Sequence, residues 1–156
     1  MTKFTVSQNG KPFTDYDWNE KTKTFSSSEN SLVIDFGREE RITFRTGSNC
    51  TFSTGHSCTF NTGSRCTFIT GHSCTFRTVM YCTFKTGADC TFYTVHSCTF
   101  NTGHSCTFTV GKNCFGIRYD VDGVNILPEN FTVKYNVYEV AGFTKVEQIK
   151  QLLDLK

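Results

Sequence analysis

The sequence lacks the features that mark a membrane, secreted or strongly nucleic-acid-binding protein. Its 156 residues carry a formal net charge of only +2, so no strong field of one sign favours nucleic acid or a charged membrane. No segment approaches the roughly 18–20 consecutive apolar residues of a membrane-spanning helix. The first residues, MTKFTVSQNGKPF, contain neither the apolar core nor the cleavage site of a secretory signal. We therefore expect one domain in an intracellular protein.

The nine cysteines lack the spacing of a metal site. Zinc ligands come in closely spaced Cys-x2–4-Cys pairs, whereas these cysteines are eight residues apart throughout. A chain without a secretion signal is also not expected to carry a disulfide framework. We expect free thiols that face inward and behave as small apolar groups, with partial disulfides and metal binding as alternatives. We predict no metal ion and no cofactor.

The sequence does contain an octad repeat, Cys-Thr-Phe-x-Thr-Gly-x-x, in which Cys is position 1 and Phe is position 3. Upstream the frame continues as Ile42-Thr43-Phe44 and, more weakly, as Ile34-Asp35-Phe36. A fixed period indicates stacked units. The period-two alternation inside each octad predicts a strand with positions 1, 3 and 5 on one face and positions 2 and 4 on the other. We expect Gly at position 6 to end the strand by adopting the backbone angles of a turn.

These features predict an all-β fold, a parallel β-solenoid in which each octad buries its face only by stacking on its neighbours. We favour two octads, or 16 residues, per coil; three octads per coil is the alternative. In a two-octad coil the facing strands run in opposite directions, so Phe meets Phe and position 1 meets position 5 between sheets about 10 Å apart. The predicted core consists of Phe44, Phe52, Phe60, Phe68, Phe76, Phe84, Phe92, Phe100 and Phe108, with Cys50, Cys58, Cys66, Cys74, Cys82, Cys90, Cys98 and Cys106.

The solenoid, residues 41–115, should be capped at both ends, because open strand edges invite aggregation. Residues 1–40 are predicted to form the N-terminal cap, with strands at Lys3–Val6 and Lys21–Phe25. Residues 116–156 are predicted to form the C-terminal cap. It should contain a hairpin, a strand with Phe131, Val133, Tyr135 and Val137 alternating, and a helix that starts at Thr144 and carries Val146, Ile149 and Leu153 on one face. The hairpin should join Ile117–Val121 to Val124–Leu127 through a tight type I′ turn at Asp122-Gly123.

The octads, with Cys114-Phe115-Gly116-Ile117-Arg118-Tyr119-Asp120 and Val140-Ala141-Gly142-Phe143, resemble octad-repeat proteins of large DNA viruses of amoebae. The resemblance covers about residues 42–143. It implies a viral protein in the host cytoplasm, nucleus or virion, and it carries no catalytic residues.

The pattern predicts a scaffold or protein-interaction module rather than an enzyme. Cysteines should point inward while His56, His72, His96 and His104, all at position 7, lie at corners, so no thiol should be activated by an imidazole. Arg and Tyr are enriched at binding surfaces, and in a 16-residue coil five of them share one sheet and its exit corner: Arg45, Arg65, Arg77, Tyr81 and Tyr93. We expect a protein partner there and self-association through the end caps. A nucleic-acid or phosphate-bearing partner and a structural role in the virion are the alternatives.

Overall fold

A computed structural model of the chain describes residues 1–146. All regular elements in that range are strands: β1 (Thr5–Gln8), β2 (Lys11–Pro12), β3 (Asp17–Asn19), β4 (Thr24–Ser26), β5 (Leu32–Asp35), β6 (Thr43–Arg45), β7 (Thr51–Ser53), β8 (Thr59–Asn61), β9 (Thr67–Ile69), β10 (Thr75–Arg77), β11 (Thr83–Lys85), β12 (Thr91–Tyr93), β13 (Thr99–Thr102), β14 (Thr107–Thr109), β15 (Phe115–Arg118), β16 (Val124–Ile126), β17 (Val133–Tyr135) and β18 (Phe143–Lys145). Most of the helix predicted from Thr144 onward lies outside the described residues, and Thr144 itself is in β18.

The chain winds into a parallel β-solenoid with two octads per coil, as predicted. Each strand from β6 to β13 pairs in parallel with the strand two further along the chain, so that Phe60, Phe76 and Phe92 are neighbours in register. Successive octads therefore alternate between two nine-stranded sheets. Sheet A has the order β16-β15-β13-β11-β9-β7-β5-β1-β2, and sheet B has the order β18-β17-β14-β12-β10-β8-β6-β4-β3. The structure excludes the three-octad coil.

The core between the two sheets is a double column of phenylalanine rings. Every predicted core Phe is fully buried, and rings of the same sheet stack in parallel with centroids 4.8–5.1 Å apart. Rings of opposite sheets meet edge to face, for example Phe76 against Phe84 at 5.0 Å and 75°. Both arrangements suit the quadrupole of an aromatic ring, and each buried Phe contributes roughly 1.5–3 kcal/mol of transfer free energy. The Phe columns are therefore the main source of stability.

The corners of the coil are hydrogen-bonded from one coil to the next. At position 6, Gly71 donates its N–H to the carbonyl of Gly55, and at position 8, Ser73 donates to the carbonyl of Ala88. The left-handed backbone angle of the corner lies at position 8, where Ser57 has a φ of 60° and Arg65 a φ of 57°. The backbone of the repeat thus has hydrogen-bond partners at its corners as well as in its strands.

The reason predicted for the repeat glycine is wrong. None of the glycines at position 6 of the octads has a positive φ. A side chain there would instead strike the neighbouring coil: a Cβ on Gly63 would lie 2.3 Å from the Ser48 hydroxyl, and a Cβ on Gly111 would lie 1.6 Å from the Val95 carbonyl oxygen. Close approach of two corners, not a special backbone angle, selects glycine.

The N-terminal segment joins the solenoid earlier than its sequence suggests. Phe25 of β4 already pairs in parallel register with Phe44 of β6, while β1, β2 and β3 add antiparallel strands outside it. The weak upstream frame is shifted by two residues, because Ile34 rather than Phe36 lies beside Phe52. Phe36 instead stacks on Phe4 at 4.3 Å, within an aromatic plug that closes this end. The predicted strands at Lys3–Val6 and Lys21–Phe25 are each displaced toward the C-terminus.

The C-terminal cap contains the predicted hairpin but not the predicted turn. Ile117 is opposite Val124, and β15 ends at Arg118, so residues 119–123 form a five-residue loop; only Gly123 of the Asp122-Gly123 pair has a positive φ. The predicted strand around Val133 and Tyr135 is confirmed in its centre as β17, and β18 adds a second hairpin that was not predicted.

A buried ion pair fixes that loop. The guanidinium of Arg118 donates to both carboxylate oxygens of Asp120 and to the carbonyls of Val137 and Val140, and its side chain is fully buried. Burial opposes the charged carboxylate, but hydrogen bonds from Arg118 and from the Glu139 N–H outweigh it and lower the pKa of Asp120. A buried charge requires such complete pairing. The stretch Arg118–Asp120, quoted above for its resemblance, therefore has a structural role in this cap.

Candidate functional site: an arginine–tyrosine face

The cysteines form two ladders in the interior wall of the coil. All nine are free and at most 1% exposed. In sheet B, the backbone N–H groups of Cys58, Cys74 and Cys90 each donate to the thiol of the cysteine one coil further, at 3.4 Å. These thiols also contact corner carbonyls, such as that of Gly55, 3.6 Å from the Cys74 sulfur. The thiol of the repeat cysteine therefore forms hydrogen bonds with the backbone at the corner, which an aliphatic side chain cannot form.

Neighbouring thiols and burial keep two cysteines of the sheet B ladder, Cys58 and Cys90, protonated. The neighbouring Cys74 thiol and burial raise the pKa of Cys58 above its usual range. At Cys90 the Cys106 thiol and burial outweigh the opposing contact with Cys74 and raise the pKa to about 12. Because the thiolate is the reactive form, Cys58 and Cys90 are poor nucleophiles.

The histidines lie at the corners. His56 and His72 stack at 4.6 Å with their rings 5° from parallel, and their Nδ1 atoms bond to the hydroxyls of Ser57 and Ser73. His56 Nε2 also contacts the carboxylate of Glu40. Within residues 1–146 no group of three or more His, Cys, Asp or Glu side chains has the geometry to hold a metal ion. The histidines are thus held by ordinary corner contacts.

Surface depressions in the described part of the chain are shallow. One of them, of about 780 Å³, lies at the N-terminal end between Lys3–Thr5 and Asp35–Glu40 and contains neither cysteine nor histidine. A second depression, of about 510 Å³, lies between Val95 and the Glu129-Asn130 loop. Among residues 1–146 there is also no helix with the length and apolar character that a membrane crossing requires.

The five residues predicted to bind a partner form what we call the Arg/Tyr face: Arg45, Arg65, Arg77, Tyr81 and Tyr93. All five are exposed. Arg45, Arg77 and Tyr93 end strands β6, β10 and β12 of sheet B and share one outward row with Asn61. Arg65 and Tyr81 occupy position 8 of successive coils, at the corner where the chain leaves sheet B. The structure thus brings the predicted residues to one sheet and one corner.

Within the Arg/Tyr face, each tyrosine has an arginine from the preceding coil above its ring. The Cζ atom of Arg77 is 4.6 Å from the ring centroid of Tyr93, and that of Arg65 is 5.1 Å from the centroid of Tyr81. A cation–π pair at an exposed site is worth about 0.5–1 kcal/mol. The 16-residue period creates both pairs, because it puts neighbouring octads of the same sheet side by side. Arg45 stands apart, separated from Arg77 by β8.

The Arg/Tyr face has no carboxylate of its own in the middle of the solenoid. Between residues 45 and 112 the only acidic residue is Asp89, which lies at the opposite corner, where the chain enters sheet B. None of the ion pairs within residues 1–146 involves Arg45, Arg65 or Arg77. Their guanidinium groups therefore keep their donors for an external acceptor.

Sequence reasoning missed an apolar block on the last two strands of sheet A. Phe115 and Ile117 occupy positions 2 and 4 of the final octad and point outward, where earlier octads carry Thr and mostly polar residues. The repeat frame alone contains this signal, because it assigns both residues to the outer face.

Comparison of the chain with models of protein families, with curated proteins and with solved structures found no match.

Proposed function

We propose that the chain is a non-enzymatic β-solenoid scaffold that binds a protein partner through the Arg/Tyr face. The observation that carries the proposal is the pair of arginine–tyrosine stacks on the part of sheet B from β6 to β14, whose strands contain no carboxylate. Arg and Tyr contribute disproportionately to binding energy at protein interfaces. Stacking also holds each pair in one arrangement before binding, which lowers the entropic cost of ordering these side chains when a partner binds.

The partner's chemistry follows from charge. Three guanidinium groups without an ion-pair partner favour carboxylates, which arginine binds with two parallel hydrogen bonds. Along the outward row of sheet B, Arg45 and Arg77 are two strands apart, or about 9.6 Å. A peptide in the polyproline II conformation has three residues per turn and advances about 3.1 Å per residue, so carboxylates three residues apart lie on the same side of the peptide and match this spacing. We therefore propose an acidic segment of a protein as the partner, in the infected cell that the octad resemblance suggests.

A nucleic-acid or other phosphate-bearing partner is the second candidate, because a free guanidinium also binds phosphate. The Arg/Tyr face supports it less well. One face of each tyrosine ring is already covered by an arginine, which leaves less ring surface for stacked bases. The two candidates differ in salt dependence, since counterion release makes nucleic-acid affinity fall steeply with added salt.

The test is a binding titration with two fluorescent probes, a deca-glutamate peptide and a 20-nucleotide single-stranded DNA, at several salt concentrations. We expect the peptide to bind, and the triple variant Arg45→Ala/Arg65→Ala/Arg77→Ala to bind at least tenfold more weakly. The matched control, Lys3→Ala/Lys11→Ala/Lys85→Ala, removes the same charge from exposed positions outside sheet B and should bind like the wild type.

Equal peptide binding by the arginine variant and the lysine variant would eliminate the Arg/Tyr face as the site. The second candidate would be favoured if the DNA bound more tightly than the peptide, with an affinity that falls steeply with salt and depends on the same three arginines.

A further inference from the structure

The C-terminal end of sheet A carries an exposed apolar block, which we call the C-terminal apolar patch: Phe115, Ile117, Val124 and Ile126. Phe115 lies directly opposite Ile126, and Ile117 directly opposite Val124, on the antiparallel strands β15 and β16. Their exposures are 41%, 41%, 64% and 73%, and all four are on the outer face of the sheet. Tyr119, 55% exposed, extends the patch toward Asn101, to whose carbonyl its hydroxyl donates.

This patch departs from the rest of sheet A. In the two preceding strands of the sheet, the same outward positions carry Thr99 and Asn101, and before them Thr83 and Lys85. Scattered exposed apolar residues are ordinary, whereas the largest contiguous apolar block on a protein is often functional. With Tyr119 the patch exposes on the order of 550 Å², at the upper end of the range for the largest patches on monomers.

The two ends of the solenoid are protected differently. At the N-terminal end the outermost strand of sheet A is β2, only Lys11 and Pro12, and a charged residue and proline are both devices that block strand addition. At the C-terminal end the outermost strand of sheet A is β16, Val-Asn-Ile, which carries neither a charge nor a proline. In sheet A, the end with the apolar patch is thus also the end without such protection.

We propose that the C-terminal apolar patch binds the same patch of a second copy of the chain, with the outer faces of the two sheets packed together around a two-fold axis. The outward side chains of β15 and β16 include no charge, so two copies meet without like-charge repulsion. Two such patches with their Tyr119 side chains expose on the order of 1,100 Å² together, which is close to the ~1,000 Å² that a specific interface has to bury. Homodimer interfaces are the most apolar class, and a two-fold contact must be self-complementary, as a flat apolar sheet face is.

This dimer leaves the Arg/Tyr face free, because that face lies on sheet B and its exit corner while the patch lies on sheet A. A dimer therefore presents two Arg/Tyr faces. The inference concerns a different surface from the proposed function, and either can fail alone.

Sedimentation velocity of the full chain between 1 and 100 µM tests the dimer. We expect the wild type to sediment as a dimer at the upper concentrations, and Ile126→Lys to raise the dimer dissociation constant more than tenfold. Because Ile126 is 73% exposed, this substitution removes no core contact. The control Ile69→Lys places the same charge on the outer face of sheet A at β9, a half-exposed position outside the patch, and should leave the dimer unchanged.

A wild type that remains monomeric at 100 µM overturns the proposal. This outcome would also be seen if residues 147–156, rather than a second copy, occupied the patch. A dimer that Ile126→Lys leaves intact overturns the proposal as well. Circular dichroism of both lysine variants confirms that any loss of the dimer occurs in a folded chain.

Discussion

Replacing Phe84 by alanine removes one ring from the middle of the phenylalanine columns. The ring is fully buried and touches four others. It stacks on Phe68 and Phe100 at 4.9 Å each and meets Phe76 and Phe92 edge to face at 5.0 Å each. No other side chain can enter the space, because the ladders of the two sheets fix the positions of the neighbouring rings.

The expected loss is large. Phe→Ala in a packed core costs about 3–5 kcal/mol, from lost transfer free energy and from the cavity that remains. The regular stack collapses poorly, and each aromatic contact adds about 0.5–1.5 kcal/mol beyond burial, so we expect a value near 4–5 kcal/mol. That is a large share of the roughly 5–15 kcal/mol by which a domain is stable.

Urea unfolding followed by circular dichroism measures the effect. Thr83→Ala is the matched control, because Thr83 precedes Phe84 on β11, faces outward and is exposed; it should cost less than about 1 kcal/mol. Phe84→Leu, expected to cost less than the alanine variant, keeps the comparison measurable if that variant does not fold. Equal losses for Thr83→Ala and Phe84→Ala would refute the argument that the inward rings provide the stability.

Three further predictions concern the corner, the N-terminal cap and the thiols. Gly111→Ala should lose about 1–3 kcal/mol in urea unfolding, because its Cβ would overlap the Val95 carbonyl, whereas the exposed neighbour variant Lys112→Ala should lose almost nothing. Hydrogen bonds from Lys23 and Thr2 lower the pKa of Glu20 to about 2, so its contribution to stability is present above pH 4.5 and is lost as the pH falls through 2. Glu20→Gln should therefore be less stable than the wild type at pH 6, and most of that difference should be gone at pH 2. A difference that does not change with pH would contradict this. In a thiol-reagent assay at neutral pH the folded chain should show no reactive cysteine and the urea-unfolded chain nine; rapid reaction of the folded chain would show that the thiols are not buried.

The coil itself could be predicted from the sequence because one physical rule determines it. An octad with an alternating face must stack, so the Phe44–Phe108 series followed from spacing alone. The packing of Phe against Phe between two facing strands favoured the 16-residue coil over the three-octad alternative, and the structure has the 16-residue register. The partners within the Arg/Tyr face could also have been read from that register. Arg65 and Tyr81, like Arg77 and Tyr93, are 16 residues apart, the separation that places two side chains on adjacent coils.

The remainder depended on geometry that a sequence pattern does not contain. The role of Gly111 follows from the distance between two corners, and the shifted register at Ile34 follows from the aromatic plug around Phe36 and Phe4. The Asp122-Gly123 pair favours a tight turn locally, but the buried Arg118–Asp120 ion pair requires a longer loop and overrides that preference.

Disulfide trapping on the outer face tests the 16-residue coil most directly. Ser53 and Ile69 are direct neighbours on β7 and β9, whereas Ser53 and Arg77 are on different sheets. Adjacent strands are about 4.8 Å apart, within the range that a disulfide bridges. The account predicts that the Ser53→Cys/Ile69→Cys variant forms a new disulfide under mild oxidation, by peptide mapping, and that Ser53→Cys/Arg77→Cys does not. The opposite result, a cross-link only between positions 24 residues apart, would contradict the coil and every surface assigned from it.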